Sequence, residues 1–124
     1  MKISEIPEVT AECDNDFIFA FCTFLDEFYH ADGGEKELLL ADKPEKGVLK
    51  IKEFCMLACA AHKLANDNKF DPPEWVYDKK FILKTPAYAF DTKNKEYQKL
   101  LKETTPAEYK TRNLFYGENV LKRV

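Results

Sequence analysis

The chain has 124 residues, of which 45% are hydrophobic and 33% are charged, with ten Phe and six Tyr but only four Gly and six Pro. This length accommodates one domain, and a chain of this size buries roughly two-thirds of the surface that it exposes when unfolded. The low Gly and Pro content argues against disorder and against a turn-rich all-β fold. We therefore expect a single compact helical domain over residues 1–124.

The net charge of −3 hides an asymmetry between two parts of the chain. Residues 1–47 carry twelve acids and four bases, whereas residues 48–124 carry ten acids and fifteen bases. Either the two parts attract each other within the fold, or one of them meets an oppositely charged partner. Lysine dominates the basic part, which suits a solvated surface better than bidentate phosphate capture.

Neither export nor membrane insertion is expected. No apolar signal region follows the N-terminus, and the longest uncharged stretch, residues 17–25, is far shorter than the roughly 18 residues of a membrane span. The four cysteines are therefore interpreted as reduced thiols, and Cys55 and Cys59 would lie one helical turn apart, a poor arrangement for a disulfide. These features predict a cytoplasmic protein.

An aromatic stripe predicts the first long helix. Asp14 or Asn15 can cap this helix, which we expect to run to about Tyr29. Ile18 widens its apolar face, and Asp32-Gly33-Gly34 is expected to end it. The stripe recurs at i, i+4, i+7 and i+11 and consists of Phe17, Phe21, Phe24 and Phe28.

One side chain of this helix does not fit the pattern. Phe19 falls on the polar arc, which also carries Asp26 and His30. An apolar side chain in that position is a candidate for a partner surface. The alternative is that residues 1–13, predicted to be an irregular or short helical lead-in, fold over Phe19.

A second long helix is predicted from Glu45 or Gly47 to Asn66. Residues 54–61 contain no charge, so this helix should be buried over most of its circumference. Its strongest apolar face begins at Ile51. A short helix over residues 35–41 is expected to precede it.

The remainder of the chain is predicted to form short helices and turns. Proline suits the first turn of a helix, because its missing N–H is not needed there. The expected elements, in chain order, are a short helix after Pro72 or Pro73, a helix over 93–102, a short helix capped by Thr105, an extended segment over 113–116, and a turn with a short helix over 117–123.

These patterns together predict a mainly α fold: a single-domain helical bundle with two long helices and several short C-terminal helices. Residues 81–83 and 87–90 are apolar but too short for periodicity to separate strand from helix. The alternative is therefore an α+β fold with a small hairpin near residues 81–90.

No metal site or cofactor is predicted. Cys55, Cys59 and His62 share the spacing i, i+4, i+7 along one flank of the second helix. Zinc would accept these ligands but needs a fourth, and structural zinc sites usually combine two separate ligand pairs. A second pair of this kind does not follow in the sequence.

No catalytic residue is assigned either. Cys22, Asp26 and His30 at i, i+4, i+8 could form a nucleophile and base, but the acidic surroundings disfavour a reactive thiolate. Ser4 is the only serine, and the pair Gly33-Gly34 lacks the lysine and spacing of a phosphate-binding loop.

Arg112 and Asn113 form a polar pair within the hydrophobic stretch 109–115. We expect Arg112 to tie the C-terminal segment to an acidic residue or to carbonyls at a helix end. On the basic part of the chain, Arg112, Asn113 and the neighbouring lysines are the candidates for binding a partner. A second hypothesis places an enzyme or small-ligand pocket near His62, Trp75 and Arg112.

The third hypothesis is nucleic-acid binding by the basic part, where cations interleave with Tyr88, Tyr97 and other aromatic residues, as in single-strand binders. The acidic chain as a whole fits poorly with the usual basic footprint, so this function is not favoured. The cations concerned are Lys79, Lys80, Lys84, Lys93, Lys95, Lys99, Lys102, Lys110, Arg112, Lys122 and Arg123.

The second part of the chain resembles a small uncharacterised bacterial helical domain. This domain occurs alone, at the C-terminal end of some helix-turn-helix regulators, and in toxin–antitoxin-like loci. The resemblance covers about residues 50–124 and is carried by Ala-His-Lys-Leu-Ala-Asn at 61–66, Pro-Glu-Trp-Val at 73–76 with Leu-Lys-Thr-Pro at 83–86, Thr-Pro-Ala-Glu-Tyr at 105–109, Arg-Asn-Leu-Phe at 112–115 and Leu-Lys-Arg-Val at 121–124.

The resemblance implies an accessory or regulatory role through protein binding and carries no activity. The leading hypothesis is therefore a non-enzymatic protein–protein interaction or regulatory module, with an antitoxin-like accessory protein as one form. The expected partner is another protein. Its contact residues would be Phe19, Asp26 and His30 on the acidic part, or Arg112 on the basic part.

Overall fold

The computed structural model describes residues 1–123 and is mainly helical, as the sequence predicts. Short 3-10 turns at Ile3–Glu5, Glu74–Tyr77, Lys79–Phe81 and Ala89–Asp91 connect the main elements. The α-helices are α1 (Ile6–Glu12), α2 (Phe17–His30), α3 (Gly33–Ala41), α4 (Ile51–Asp67), α5 (Lys95–Thr104) and α6 (Ala107–Lys110), and the strands are β1 (Ala87–Tyr88) and β2 (Leu114–Phe115).

The predicted aromatic helix is α2. Asp16 caps it by accepting a 3.0 Å hydrogen bond from the Phe19 backbone N–H, and all four phenylalanines of the stripe are buried. Phe19 is 56% exposed, as its place on the polar arc predicts. Ile18 is 61% exposed, so the prediction that it widens the apolar face was wrong.

The N-terminal residues form a short helical lead-in, one of the two forms that the sequence allowed. Residues 3–12 are helical, and α1 packs against α2 with Ile3, Ile6 and Pro7 buried. This packing leaves Phe19 exposed, so the lead-in does not fold over it.

The glycine pair has a different role from the one predicted. Asp32 caps α3 by accepting a 2.8 Å hydrogen bond from the Glu35 N–H. Gly33 and Gly34 are the first residues of α3 and do not have positive φ angles. They therefore begin α3, whereas we expected them to end α2.

The long helix α4 forms the centre of the core. Its uncharged run is buried as predicted, and the helix packs against α6 and against the two 3-10 turns at 74–77 and 79–81. It begins at Ile51, later than expected, because Gly47 with φ +52° lies in a turn before it. Ile51 is 63% exposed, which corrects its assignment to the buried face.

A two-residue parallel pairing forms the sheet within the described residues, with Ala87 opposite Leu114 and Tyr88 opposite Phe115. A small sheet was the structural alternative at sequence level, but its second strand comes from the predicted extended segment over 113–116. Residues 117–123 form turns where a short helix was expected. No helix within residues 1–123 has the length and apolar character needed to cross a membrane.

Candidate functional site

A groove of about 880 Å³ opens beside the first turns of α4. The opposite wall is the segment that runs from the 3-10 turn at 79–81 through β1 towards α5. We call it the lysine groove after the six lysines that line it, Lys46, Lys52, Lys79, Lys80, Lys84 and Lys93. Residues from three separate parts of the chain therefore meet in one concave surface.

Positive charge dominates the lysine groove. One carboxylate, that of Asp91, lies among the lining residues, and it forms a 2.7 Å ion pair with Lys52. The hydrogen bond between them lowers the pKa of Asp91 and raises the pKa of Lys52, so both groups are charged at neutral pH. The remaining lysines of the groove make it a site that attracts anionic ligands.

Two ammonium groups lie close together at one end of the groove. The positively charged Lys43 beside it lowers the pKa of Lys80. Lys43 is itself paired with Asp78 at 3.7 Å. The Lys80 side chain lies over the rings of Phe54 and Phe81, with Nζ 5.7 and 5.6 Å from the ring centroids. This end of the groove therefore already holds a carboxylate beside the two amines, that of Asp78.

The floor of the lysine groove is apolar. Phe54, Leu83 and Ala87 are buried beneath it, whereas Ile51 and Ile82 are 63% and 46% exposed at its surface. Exposed aliphatic side chains surrounded by charge are typical of protein-interaction sites.

Asn113 holds the wall of the groove in place. Its side-chain amide donates a 2.7 Å hydrogen bond to the Leu83 carbonyl. The backbone adds hydrogen bonds from the Leu83 N–H to the Arg112 carbonyl at 3.1 Å and from the Ala87 N–H to the Asn113 carbonyl at 2.9 Å. Asn113 adopts φ +64°, a conformation that Asn tolerates better than most residues. Residues 83–87 are thereby fixed as one edge of the groove.

Arg112 supports the same wall from below. It is 4% exposed and donates 2.7 Å hydrogen bonds to the backbone carbonyls of Glu108 and Val76. Of the two acceptor types considered at sequence level, the backbone carbonyls are the ones that its guanidinium uses. Arg112 and Asn113 therefore position the groove and do not line it.

His62 and Arg112 are in contact, as the pocket hypothesis required. Arg112 Nη2 lies 3.1 Å from His62 Nδ1, and burial, together with the guanidinium charge, lowers the pKa of His62. His62 is therefore neutral at pH 7, and its Nδ1 accepts the hydrogen bond. Its ring packs edge-on against Tyr77, with centroids 5.3 Å apart.

Trp75 does not join this pair. Its Nε1 donates a 3.0 Å hydrogen bond to the Leu40 carbonyl, and its ring packs against Phe81 at 5.5 Å. Trp75 lines a second cavity of about 470 Å³, and neither His62 nor Arg112 lines that cavity.

The three predicted binding residues of the acidic part lie on α2. Arg123 binds the carboxylate of Asp26 in a bidentate manner at 2.9 and 3.0 Å, and this lowers the pKa of Asp26. His30 Nδ1 lies 2.7 Å from the Asp26 carbonyl oxygen. Phe19 is exposed, but the charge of Asp26 on the same helix is already compensated.

The buried cysteines are poor nucleophiles. Burial raises the pKa of Cys55 to about 11 and the pKa of Cys59 to about 12, so both are protonated thiols at neutral pH. Within residues 1–123, the His, Cys, Asp and Glu side chains form no group of three that could hold a metal ion.

Sequence reasoning missed the apolar floor of the lysine groove. Ile51 was assigned to the core, and Ile82 belonged to a segment of undecided structure. The available signal was the apolar run 81–83 with lysines on both sides, at 79, 80 and 84. Lys46 and Lys52 lie far from that segment in sequence, so their part in the groove required the tertiary structure.

Comparison of the chain with protein-family models, with curated proteins and with solved structures found no match. The resemblance to a bacterial helical domain therefore stays a prediction.

Proposed function

We propose that this protein is a non-enzymatic binding module that holds an acidic segment of another protein in the lysine groove. The main support for this proposal is the arrangement of six lysines around an apolar floor. The carboxylate of Asp91 in this groove is already paired with Lys52. A partner segment that alternates acidic with apolar side chains would match both features.

The aromatic residues that line the groove, Phe54 and Tyr88, favour a protein partner over nucleic acid because neither presents a free face. Single-strand binders stack bases on free aromatic faces. Tyr88 is instead stacked on Phe115, with centroids 5.4 Å apart and ring planes 24° apart, and Lys102 Nζ lies 5.9 Å from its centroid. The exposed floor residues Ile51 and Ile82 are aliphatic and suit apolar side chains better than bases.

The regulatory, antitoxin-like role implied by the resemblance is one form of this proposal. In that form, the module covers an acidic segment of a second bacterial protein and thereby controls it. We place this partnership in the cytoplasm, where the four free cysteines would stay reduced.

Fluorescence anisotropy with a defined probe tests the proposal. The probe is a labelled twelve-residue peptide of alternating Glu and Leu, and its control replaces every Leu with Ser. We expect binding of the first peptide, at least about tenfold weaker binding of the second, and weakening of both by salt. A labelled oligothymidine of similar length is measured in parallel, and tighter binding of this oligonucleotide would contradict the proposal.

Matched charge reversals locate the binding surface. Lys79→Glu with Lys84→Glu removes two exposed lysines of the groove. Lys69→Glu with Lys122→Glu changes the net charge equally, and neither of these lysines lines the groove. We expect about tenfold weaker peptide binding for the first pair and less than about twofold for the second. Equal losses would indicate a general charge effect and argue against the lysine groove.

A further inference from the structure

Phe90 is the most exposed of the large hydrophobic side chains in the described part of the chain. It is 92% exposed and belongs to the 3-10 turn Ala89–Asp91, which leads from β1 towards α5. The next two residues, Asp91 and Thr92, line the lysine groove, so Phe90 stands at its margin. A ring that remains in water gains nothing from the hydrophobic effect on folding.

The backbone at this turn is strained. Phe90 has φ +58° and ψ +19°, and Asp91 follows with φ +50°. Both residues are in the left-handed region, where the Cβ of an L-residue crowds the backbone and where a bulky side chain is uncommon. The strain serves no visible packing purpose, because the Phe90 side chain is exposed. Strain of this kind is concentrated at functional sites.

Contacts on both sides hold the turn in its strained form. Lys52 of α4 binds Asp91 at 2.7 Å. On the other side, Gln98 of α5 donates a 2.9 Å hydrogen bond to the Thr92 carbonyl, and the Asn94 N–H donates to the Thr92 hydroxyl at 3.2 Å. The exposed ring is therefore presented on a braced turn, which reduces the entropy that binding would cost.

We infer that Phe90 is the anchor side chain of the lysine groove and contacts an apolar side chain of the acidic partner segment. This inference rests on the proposed function. It specifies that the segment brings apolar groups to two places, the floor at Ile51 and Ile82 and the ring of Phe90, while its carboxylates meet the lysines. Aromatic anchors of this kind dominate the energetics of protein interfaces.

Phe19 provides a matched control within the same chain. It is also a well-exposed phenylalanine, at 56%, but it lies in α2, outside the groove, and has no positive φ. Phe19 is thus exposed without a strained backbone and away from the lysines of the groove.

The experiment compares Phe90→Ala with Phe19→Ala in anisotropy titrations of the Glu/Leu peptide. We expect Phe90→Ala to bind the peptide at least about tenfold more weakly than wild type, and Phe19→Ala to change the affinity by less than about twofold. Phe90→Trp should keep the affinity within about threefold of wild type, because it restores an aromatic anchor. Unchanged peptide affinity in Phe90→Ala, with wild-type binding intact, would overturn the inference and leave the proposed function standing.

Thermal unfolding separates anchoring from folding. Phe90→Gly should raise the midpoint by about 2–4 °C, because glycine adopts the left-handed conformation without the Cβ clash, while it weakens peptide binding as Phe90→Ala does. A lowered midpoint would show that the ring stabilises the fold and would overturn the inference. Absence of peptide binding by the wild-type protein would instead overturn the proposed function, and the inference with it.

Discussion

Arg112 Nη2 donates a 2.7 Å hydrogen bond to the Val76 carbonyl oxygen, which is 36 residues earlier in the chain. The same guanidinium reaches the Glu108 carbonyl through Nη1. These bonds connect the 3-10 turn at 74–77 with α6, and the Leu83 N–H in turn bonds to the Arg112 carbonyl. The buried Arg112 therefore links the 3-10 turn at 74–77 and α6 to the wall of the lysine groove.

Arg112→Met should destabilise the fold strongly. Methionine can fill much of the space of the aliphatic stem, but it leaves the Val76 and Glu108 carbonyls without their charged donor. Hydrogen bonds to charged groups contribute about 1.5–3 kcal/mol each, so we expect the free energy of unfolding to fall by about 3 kcal/mol or more. Urea denaturation followed by circular dichroism measures this change.

Arg123→Met is the control for that substitution, because Arg123 pairs with Asp26 at the protein surface. An exposed ion pair contributes little, so this variant should unfold at nearly the wild-type urea concentration. Similar losses in the two variants would show that the buried hydrogen bonds of Arg112 have no special role.

The stability should depend on the protonation of His62. Burial and the neighbouring Arg112 lower the pKa of His62 below its usual value of 6.5 in the folded state. The unfolded chain therefore binds the proton more readily, so the stabilising contribution is complete above about pH 6.5 and is lost as the pH falls. Between about pH 7 and pH 5, the urea midpoint should fall less in His62→Gln than in wild type. Identical pH dependence of the urea midpoint in wild type and His62→Gln would contradict this prediction.

Two tyrosine-to-phenylalanine substitutions should have opposite effects. The Tyr109 hydroxyl is buried without a hydrogen-bond partner among the described residues, whereas the Tyr29 hydroxyl donates a 2.6 Å hydrogen bond to the Leu121 carbonyl. Removing the unpaired hydroxyl should raise the free energy of unfolding by about 1 kcal/mol, and removing the paired one should lower it by about 1 kcal/mol. Chemical denaturation of both variants measures the difference, and a destabilised Tyr109→Phe would show that this hydroxyl has a partner.

Two glycine-to-alanine substitutions should also differ. Gly47 has φ +52°, and an added Cβ would lie 3.2 Å from the Pro7 Cβ. Gly47→Ala should therefore lower the free energy of unfolding by about 1–2 kcal/mol. Gly33 lies in the first turn of α3 with no atom within 4 Å of an added Cβ, so Gly33→Ala should be neutral or stabilising by up to about 1 kcal/mol. Scanning calorimetry can compare both variants, and equal midpoints would argue against the strained turn at Gly47.

The long helices could be predicted because each repeats its apolar side chains along one face. The four phenylalanines of α2 and the uncharged run of α4 are buried as predicted. Errors arose at the edges of those faces, where Ile18 and Ile51 are exposed. At such positions the angular position of a residue on the helix does not decide whether its side chain is buried, because burial depends on which neighbouring element packs there.

The sequence singled out part of the candidate site. Four of the cations that it named as possible nucleic-acid contacts line the groove: Lys79, Lys80, Lys84 and Lys93. The sequence singled out Arg112 and Asn113 as a polar pair among apolar residues, and both hold the wall of the groove. It could not place Phe90, which was read as part of a short apolar segment. Its exposure follows from a left-handed turn. The sequence does not indicate this turn, because position 90 is occupied by Phe and not by Gly or Asn, the residues that usually mark such a conformation.

The sequence by itself determined the helical class, the two long helices and the separation of acidic from basic residues, because these follow from local spacing and composition. The tertiary structure alone decided that Lys46 and Lys52 would meet the lysines of residues 79–93, and that Ile51 and Ile82 would lie exposed between them. A concave site depends on how distant segments pack against each other. That packing is set by the sum of many weak contacts, and no local pattern encodes it.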